Sequence, residues 1–172
     1  MTVSRFLAVA SAALVAGGCM GPMVDPAPSP ASAAPSVRYA GAEGRIFDLI
    51  NAERNHQGLR ALVHNRQLDE MARIQAQNMA HFQKMAHVLP EAPLPTLVDR
   101  ARFVAYPYGR LAENVALGYP DAETVVQGWM NSKGHRSNIL NSDVVETGIG
   151  IARSSAGGLY YCQVFGRRLT SL

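Results

Sequence analysis

Runs of like charge, internal repeats and cysteines are all scarce in this chain of 172 residues. No run of five or six basic residues occurs and the net charge is only +3, which argues against direct nucleic-acid binding and allows contact with anionic surfaces such as lipid headgroups. Hydrophobic residues make up 48% of the chain and charged residues 17%, so an intrinsically disordered protein is excluded. The length and composition predict one globular domain with some additional chain.

The chain has no hydrophobic run long enough for a permanent membrane-spanning helix. The apolar stretch from Phe6 to about Ala16 follows Arg5 and is too short to cross a bilayer. Its layout is that of a signal peptide, which we place at residues 1–18. The ending "AGGC" resembles a bacterial lipobox, so we expect lipidation of Cys19 and anchoring of the exported protein to a membrane, at the outer membrane or cell surface. The alternative is a soluble secreted protein in which this cysteine merely lies near the cleavage site.

The second cysteine, Cys162, is left without a partner if Cys19 carries a lipid. We therefore expect Cys162 to be buried as a small hydrophobic residue, and a disulfide between the two cysteines is the alternative. Residues 19–38, beginning at the lipidated cysteine, are rich in proline, alanine and serine and show no apolar period. The segment predicts a semi-extended tether with a reach of about 50 Å.

We predict that residues 39–168 form the folded domain. Apolar residues recur at helical spacing in its first part and alternate with other residues, as in strands, in its last part. Apolar residues at helical spacing predict a helix that ends near Gly58, a second long helix from about residue 65, and a third that Asp121 caps. The segments "VETGIGIARSS" and "LYYCQVFG" alternate as strands do, and "SSAGG" between them predicts a hairpin. Helices followed by strands predict an α+β fold.

Three side chains stand out as candidates for chemistry: His87, Glu113 and His135. We place His87 near the end of the second long helix, Glu113 in a short apolar strand, and His135 just after Gly134. Two imidazoles and a carboxylate could bind a divalent metal with an open position, or could serve as acid and base. From the residues alone these alternatives stay open, as does the interpretation that the three are unconnected.

Motifs throughout the domain resemble those of bacterial members of the CAP superfamily, also called the SCP or pathogenesis-related-1-like family. The resemblance rests on "AENVALGY", "VVQGWMNSKGHRSNILN", "VVETGIGIA" and "YYCQVFG", with His87 upstream, and covers nearly all of residues 46–166. It implies a three-layer α-β-α sandwich with a central antiparallel sheet and a central cleft. It also implies that the glycine before His135 turns the backbone so that this imidazole faces the cleft.

The family's cleft carries two histidines and two acidic residues, and this chain matches three of the four. His87, Glu113 and His135 correspond to them, whereas Ser132 stands where the animal and plant members have the second glutamate. Glu146 fits the family's acidic position before the final strands. The incomplete acidic set puts a four-residue mechanism in doubt.

Other conspicuous residues have structural interpretations. Trp129 belongs to an apolar helical stripe and is expected to close a helix onto the core. The charged group Asp99, Arg100 and Arg102 is expected on a solvated face, and His56 and His64 in solvated loops. Ser132 lies three residues before His135, but no strand-turn-helix nucleophile elbow surrounds it, which argues against a serine hydrolase.

Three hypotheses for function follow from the resemblance and the incomplete acidic set. The first is an envelope-anchored CAP-domain protein whose cleft binds a small molecule, lipid or peptide, with zinc or another divalent cation held by His87 and His135. The second is a hydrolase that uses a metal, or Glu113 as base to a water, on a peptide or other extracellular substrate. The third is a structural or interaction domain with a vestigial cleft.

Overall fold

The computed structural model describes residues 39–169 of the 172. The predicted signal peptide, the lipidation site at Cys19 and the tether lie outside the described residues. Within that range no helix is both long enough and apolar enough to cross a membrane. The elements, in chain order, are α1 (Ala40–His56), β1 (Val63–His64), α2 (Arg66–Phe82), α3 (Leu97–Phe103), β2 (Tyr108–Leu117), α4 (Ala122–Asn131), α5 (Lys133–Ile139), β3 (Glu146–Arg153) and β4 (Leu159–Arg168).

The strands form one sheet in the order β1-β3-β4-β2. The predicted hairpin joins β3 to β4, with Arg153 paired to Leu159 at its closed end, and β2 adds to the other side of β4 in antiparallel register. The short β1 pairs parallel with β3, from Val63 opposite Glu146. The α+β fold class is confirmed, and the sheet is mixed rather than antiparallel throughout because of this one short parallel pair.

Helices cover both faces of the sheet and give the molecule three layers. On one face α2 and α3 pack over a core that includes Leu68, Met79 and Val164. On the other face α1, α4 and α5 enclose a second core around Trp129, which is 1% exposed as its apolar stripe predicts. Because adjacent residues of a strand point to opposite faces, alternate positions of β2 contribute to the two cores.

The glycines of the "TGIGI" stretch in β3 let α2 lie directly against the sheet. A Cβ on Gly148 would run into the backbone of Leu68 and Asp69, and one on Gly150 would run into Ala72 and Arg73. No other residue type leaves room for this approach. The alternation predicted for β3 therefore has a packing cause, with larger residues on one face and glycines beneath a helix on the other.

Several helix ends lie where the sequence predicts them. The side chain of Asp121 accepts from the amide of Thr124 at the start of α4, and Asn65 accepts from two amides at the start of α2. Gly58, just beyond α1, has a φ of +69°, the left-handed conformation that commonly ends a helix. These local signals fix the element boundaries on which the site depends.

Three local expectations were wrong. The helix α2 ends at Phe82, because Gln83 takes the left-handed conformation, so His87 lies beyond the helix in an irregular segment. Gly134 does not turn the chain but lies inside α5. His64 is a strand residue rather than a loop residue, and its Nε2 lies 2.8 Å from a carboxylate oxygen of Asp69.

Candidate functional site

The site begins with a hydrogen bond between His87 and Glu113. Glu113 lies on β2, points toward the α2 and α3 side of the sheet and is 7% exposed. His87 Nδ1 lies 2.9 Å from Glu113 Oε1, and the imidazole is 56% exposed. No hydrogen bond engages Nε2 of His87 within residues 39–169. A histidine ring is thus fixed by a buried carboxylate on one side and presented to solvent on the other.

The second carboxylate oxygen of Glu113 accepts from Arg100, which is completely buried. Arg100 Nη2 lies 2.5 Å from Glu113 Oε2, and Nη1 donates to Gln75 on α2. The prediction of a solvated face was wrong for this residue. Leu97 three positions earlier and Val104 four positions later both pack against the core, so Arg100 lies on the apolar face of α3. This spacing was the one sequence signal that could have located it.

His135 approaches from the other side of the sheet, on α5. The amide of Asn138 donates to the backbone carbonyl of Glu113 at 3.3 Å and to the side chain of Asn114 at 2.9 Å. Asn114 in turn donates to the backbone carbonyl of His135 at 3.2 Å. These bonds connect α5 to the outer edge of β2, because β2 is the last strand of the sheet. Two asparagines from different motifs therefore hold the backbone of α5 at His135 against β2 at Glu113 and Asn114.

The surroundings of the two histidines shift their pKa values in opposite directions. The hydrogen bond to Glu113 raises the pKa of His87, against a smaller lowering by burial. Burial lowers the pKa of His135, and the charge of His87 lowers it further. His87 and Glu113 are thus in direct contact, and His135 lies close enough to His87 to feel its charge. Between the two pKa values His87 is an imidazolium and His135 is a neutral imidazole.

Cys162 lies beneath Glu113 and is fully buried. Its Sγ is 3.5 Å from Glu113 Oε2, and burial raises the pKa of the thiol well above its ordinary value. A protonated, inaccessible thiol is a poor nucleophile and a poor metal ligand. As the sequence predicts, this cysteine acts as a small buried side chain, and it adds a weak donor to the carboxylate.

The side chains present do not complete a zinc site. Zinc in proteins takes three or four protein ligands, and in residues 39–169 no three His, Cys, Asp or Glu side chains converge in a metal-holding arrangement. Both oxygens of Glu113 are taken by His87 and Arg100. Among the described residues, the two imidazoles remain as ligands, since Ser132 occupies the junction of α4 and α5 at the position where the resemblance implies a glutamate in the animal and plant members.

Glu146 does not supply the missing carboxylate. Its oxygens accept from Asn65 at 2.8 Å and from Tyr106 at 2.5 Å, and Arg168 lies 3.4 Å away. Burial acts to raise the pKa of Glu146, but the hydrogen bonds from Tyr106 and Asn65 and the charge of Arg168 outweigh it and lower the pKa. Burial and the bond to Glu146 raise the pKa of Tyr106. The residue connects the start of β3 to neighbouring elements, which is a structural role.

Comparisons with known proteins agree with the fold and with the motifs. A family model described as CAP, the cysteine-rich secretory protein family, matches residues 47–165. Protein YkwD of Bacillus subtilis is 35% identical over 125 residues, which are 73% of this chain and 47% of that protein. Membrane protein YlbC of the same organism is 33% identical over 127 residues, which are 74% of this chain and 35% of YlbC. The chain thus spans less than half the length of either curated relative.

Solved structures also resemble this chain in fold. An extracellular SCP-domain protein of Bacillus anthracis matches with a TM-score of 0.68 at 31% identity, over 74% of this chain and 41% of that one. An outer surface protein of Borrelia burgdorferi matches with a TM-score of 0.70 at 20% identity, over 76% of this chain and 96% of its own, which shows a shared fold.

Proposed function

Since the chain belongs to the CAP family, the cysteine-rich secretory protein family, we propose that its cleft binds an extracellular small molecule, lipid or peptide through an acceptor group that meets His87. One observation carries this proposal. His87 is anchored through Nδ1 on the buried carboxylate of Glu113, while more than half of its ring is exposed and Nε2 has no partner in the described part of the chain. An oriented donor at a protein surface is suited to recognition.

The charge of the cluster favours an anionic or strongly accepting group on the ligand. Arg100 and the imidazolium of His87 bring two positive charges, and Glu113 brings one negative charge. Glu113 offsets the charge of Arg100 within the buried pair, so the net positive charge of the cluster lies on the exposed imidazolium of His87. A carboxylate or phosphate of a lipid or peptide would accept from His87 Nε2 with charge assistance.

A divalent cation held by His87 and His135 is a narrower form of the same proposal. Such an ion would have at most two protein ligands, with Glu113 orienting His87 from behind. Both imidazoles would have to be neutral, and the raised pKa of His87 opposes this near neutral pH. Zinc binding is therefore expected to be weak and to strengthen as the pH rises through the pKa of His87.

A hydrolase is the second candidate, favoured by the opposite pKa shifts of the two histidines. The neutral His135 could accept a proton from water, and the imidazolium of His87 could donate one to a leaving group. Glu113 is not available as the base, because His87 and Arg100 occupy both of its oxygens. Hydrolysis of a peptide library that is lost in both His87→Ala and His135→Ala would support this alternative.

The binding proposal is tested by NMR titration of the histidine Cε1 protons in the purified protein. Three probes are compared: decanoate, N-acetyl-alanyl-alanine with a free carboxylate, and the carboxamide of the same peptide. We expect a saturable shift of the His87 resonance with at least one carboxylate and none with the carboxamide, because only a carboxylate complements the imidazolium. The variant His56→Ala, which removes an exposed histidine outside the site, serves as the control.

Two results would count against the binding proposal. Saturable probe-induced shifts of the remaining histidine resonances in His87→Ala would place the probe elsewhere. The absence of any saturable shift with the carboxylates, combined with the absence of zinc binding and of hydrolysis, would leave a structural or interaction domain with a vestigial cleft.

We also propose that the protein is exported and anchored by a lipid on Cys19. The support is the lipobox-like sequence, together with a relative described as an extracellular protein. Fractionation of cells that express wild type or Cys19→Ser tests this proposal. Release of the variant from membranes is expected, and an unchanged distribution would contradict lipid anchoring.

A further inference from the structure

A cavity of about 440 Å³ lies at the end of the sheet where β1 and β3 begin and β4 ends. The pairing of the strands places it there, because the amide of Val63 donates to the carbonyl of Val145 and the amide of Val145 donates to the carbonyl of Gly166. We call this surface the arginine patch. Its lining residues are Arg60, Val63, Val145, Glu146, Arg167 and Arg168.

Positive charge is in excess in the arginine patch. Three guanidinium groups line it, against the single carboxylate of Glu146. That carboxylate is already engaged by neighbouring side chains, among them Arg168 at 3.4 Å. Within residues 39–169 no carboxylate pairs with the exposed side chains of Arg60 and Arg167. The charges of these two arginines are therefore available to an anion outside the domain.

Exposed apolar side chains at the same place provide a second, independent observation. Seven large hydrophobic side chains are exposed among the described residues, and three of them lie at this end of the sheet. Val63 is 57% exposed and Val145 is 39% exposed within the arginine patch, and Leu169, which follows Arg168, is 67% exposed. A single exposed apolar residue is ordinary, whereas a group of them rimmed by charged residues is typical of an interaction surface.

A bilayer that contains anionic phospholipids matches both features. Guanidinium groups bind the phosphates of the headgroups, and apolar side chains between them enter the boundary between headgroups and acyl chains. A small soluble anion would pair with the arginines but would leave Val63, Val145 and Leu169 in water. The combination of unpaired arginines and exposed aliphatic residues therefore favours a membrane surface.

We propose that the arginine patch is the surface through which the folded domain lies against a membrane with anionic phospholipids. The proposal is independent of the ligand proposed for His87 and does not require a lipid on Cys19. The predicted tether is compatible with it. Because α1 has 17 residues, about 25 Å separates its start next to Tyr39 from its end near Arg60. The predicted reach of the tether, about 50 Å, exceeds this length, so an anchored domain can turn the patch toward the same bilayer.

Co-sedimentation with lipid vesicles tests the proposal. The protein is the chain from residue 19 onward, in which Cys19→Ser removes the predicted lipid attachment site, so that binding reports on the domain. Vesicles of phosphatidylglycerol and phosphatidylcholine in equal parts are compared with vesicles of phosphatidylcholine alone. We expect binding to the anionic vesicles only, and binding that weakens as salt is added, because salt screens exposed charges. His87→Ala should sediment like the parent chain, which separates this surface from the His87 site.

Matched substitutions test the two features of the patch separately. Arg60→Gln and Arg167→Gln should each weaken binding to the anionic vesicles by about fivefold, because each removes one charge from the contact. Arg153→Gln removes the same charge from an exposed position at the other end of β3 and should have little effect. Val63→Ser should also weaken binding, whereas Val88→Ser, at a residue that is 50% exposed outside the patch, should not.

Several results would overturn the proposal. Equal sedimentation with the two kinds of vesicle, or none with either, would show that anionic headgroups are not recognised. Equal effects of Arg60→Gln and Arg153→Gln would place the membrane contact elsewhere. Release from the anionic vesicles by inorganic phosphate at constant ionic strength would assign the patch to a free anion rather than to a bilayer. Thermal unfolding of each variant establishes that the comparison is made between folded proteins.

Discussion

Arg100 is the residue on which the geometry of the site depends. Its guanidinium is completely removed from solvent and is balanced by the carboxylate of Glu113 and the amide of Gln75. Desolvation of such a pair consumes most of its attraction, so its contribution to net stability is small, but loss of one partner leaves an unpaired buried charge. The arrangement fixes both oxygens of Glu113 and hence the orientation of His87.

Replacement of this arginine should be strongly destabilising. We expect Arg100→Leu to lower the free energy of unfolding by about 3 kcal/mol, because Glu113 loses its buried partner and keeps only the half-exposed His87. The exposed Arg102 on the same helix is the control, and Arg102→Leu should change stability by less than about 0.5 kcal/mol. Urea denaturation measures both. Equal effects of the two variants would show that the buried ion pair does not act as described.

The interaction of His87 with Glu113 should make the stability of the folded protein depend on pH. Its pKa is raised in the folded state, so the stabilisation from its charged form is fully present below the unfolded pKa and is lost as the pH rises through the folded pKa. The melting temperature of His87→Ala should therefore lie further below that of wild type at about pH 5.5 than at about pH 9. A difference in melting temperature between wild type and His87→Ala that is constant or grows with pH would contradict the bond between His87 and Glu113.

At the scale of the elements, the contact between α2 and β3 shows what the sequence does and does not predict. Apolar spacing predicts the helix, and alternation predicts the strand. Neither pattern reveals that Gly148 and Gly150 face the helix backbone, because a glycine in a strand has several causes. The turn that the resemblance implies at Gly134 is likewise absent, because this glycine lies within α5 with open space around it.

Replacement by alanine should affect stability differently at Gly148, which contacts a helix backbone, and at Gly134, which has open space around it. We expect Gly148→Ala to cost about 2–3 kcal/mol, because the added methyl group forces the backbone of α2 away from β3. Gly134→Ala has space for its methyl group and should leave stability unchanged or raise it by up to about 1 kcal/mol. Chemical denaturation of both variants provides the comparison. A neutral Gly148→Ala would mean that the helix does not lie as close to the strand as described.

For the whole molecule, the order of helices and strands was predictable, and so was a large part of the candidate site. Composition and periodicity predict an α+β domain, and the motifs that resemble the CAP family pick out His87, Glu113 and His135. The parallel pairing of β1 was not predictable, because two residues carry no period. The pairing of Arg100 with Glu113 was not predictable either, because a charged residue in a short helix usually faces solvent.

The central claim is that His87 and His135, which reach the edge of β2 from opposite layers, share one cleft. The most direct test is the pKa of His135, followed by NMR in wild type and in His87→Ala. We expect a pKa below the ordinary histidine value in wild type and a rise in the variant, because the charge of His87 is removed while the burial of His135 remains. Replacement of the exposed His56, which takes no part in the His87–Glu113 bond, by alanine should leave the pKa of His135 unchanged. A pKa of His135 that does not respond to His87→Ala would contradict the shared cleft.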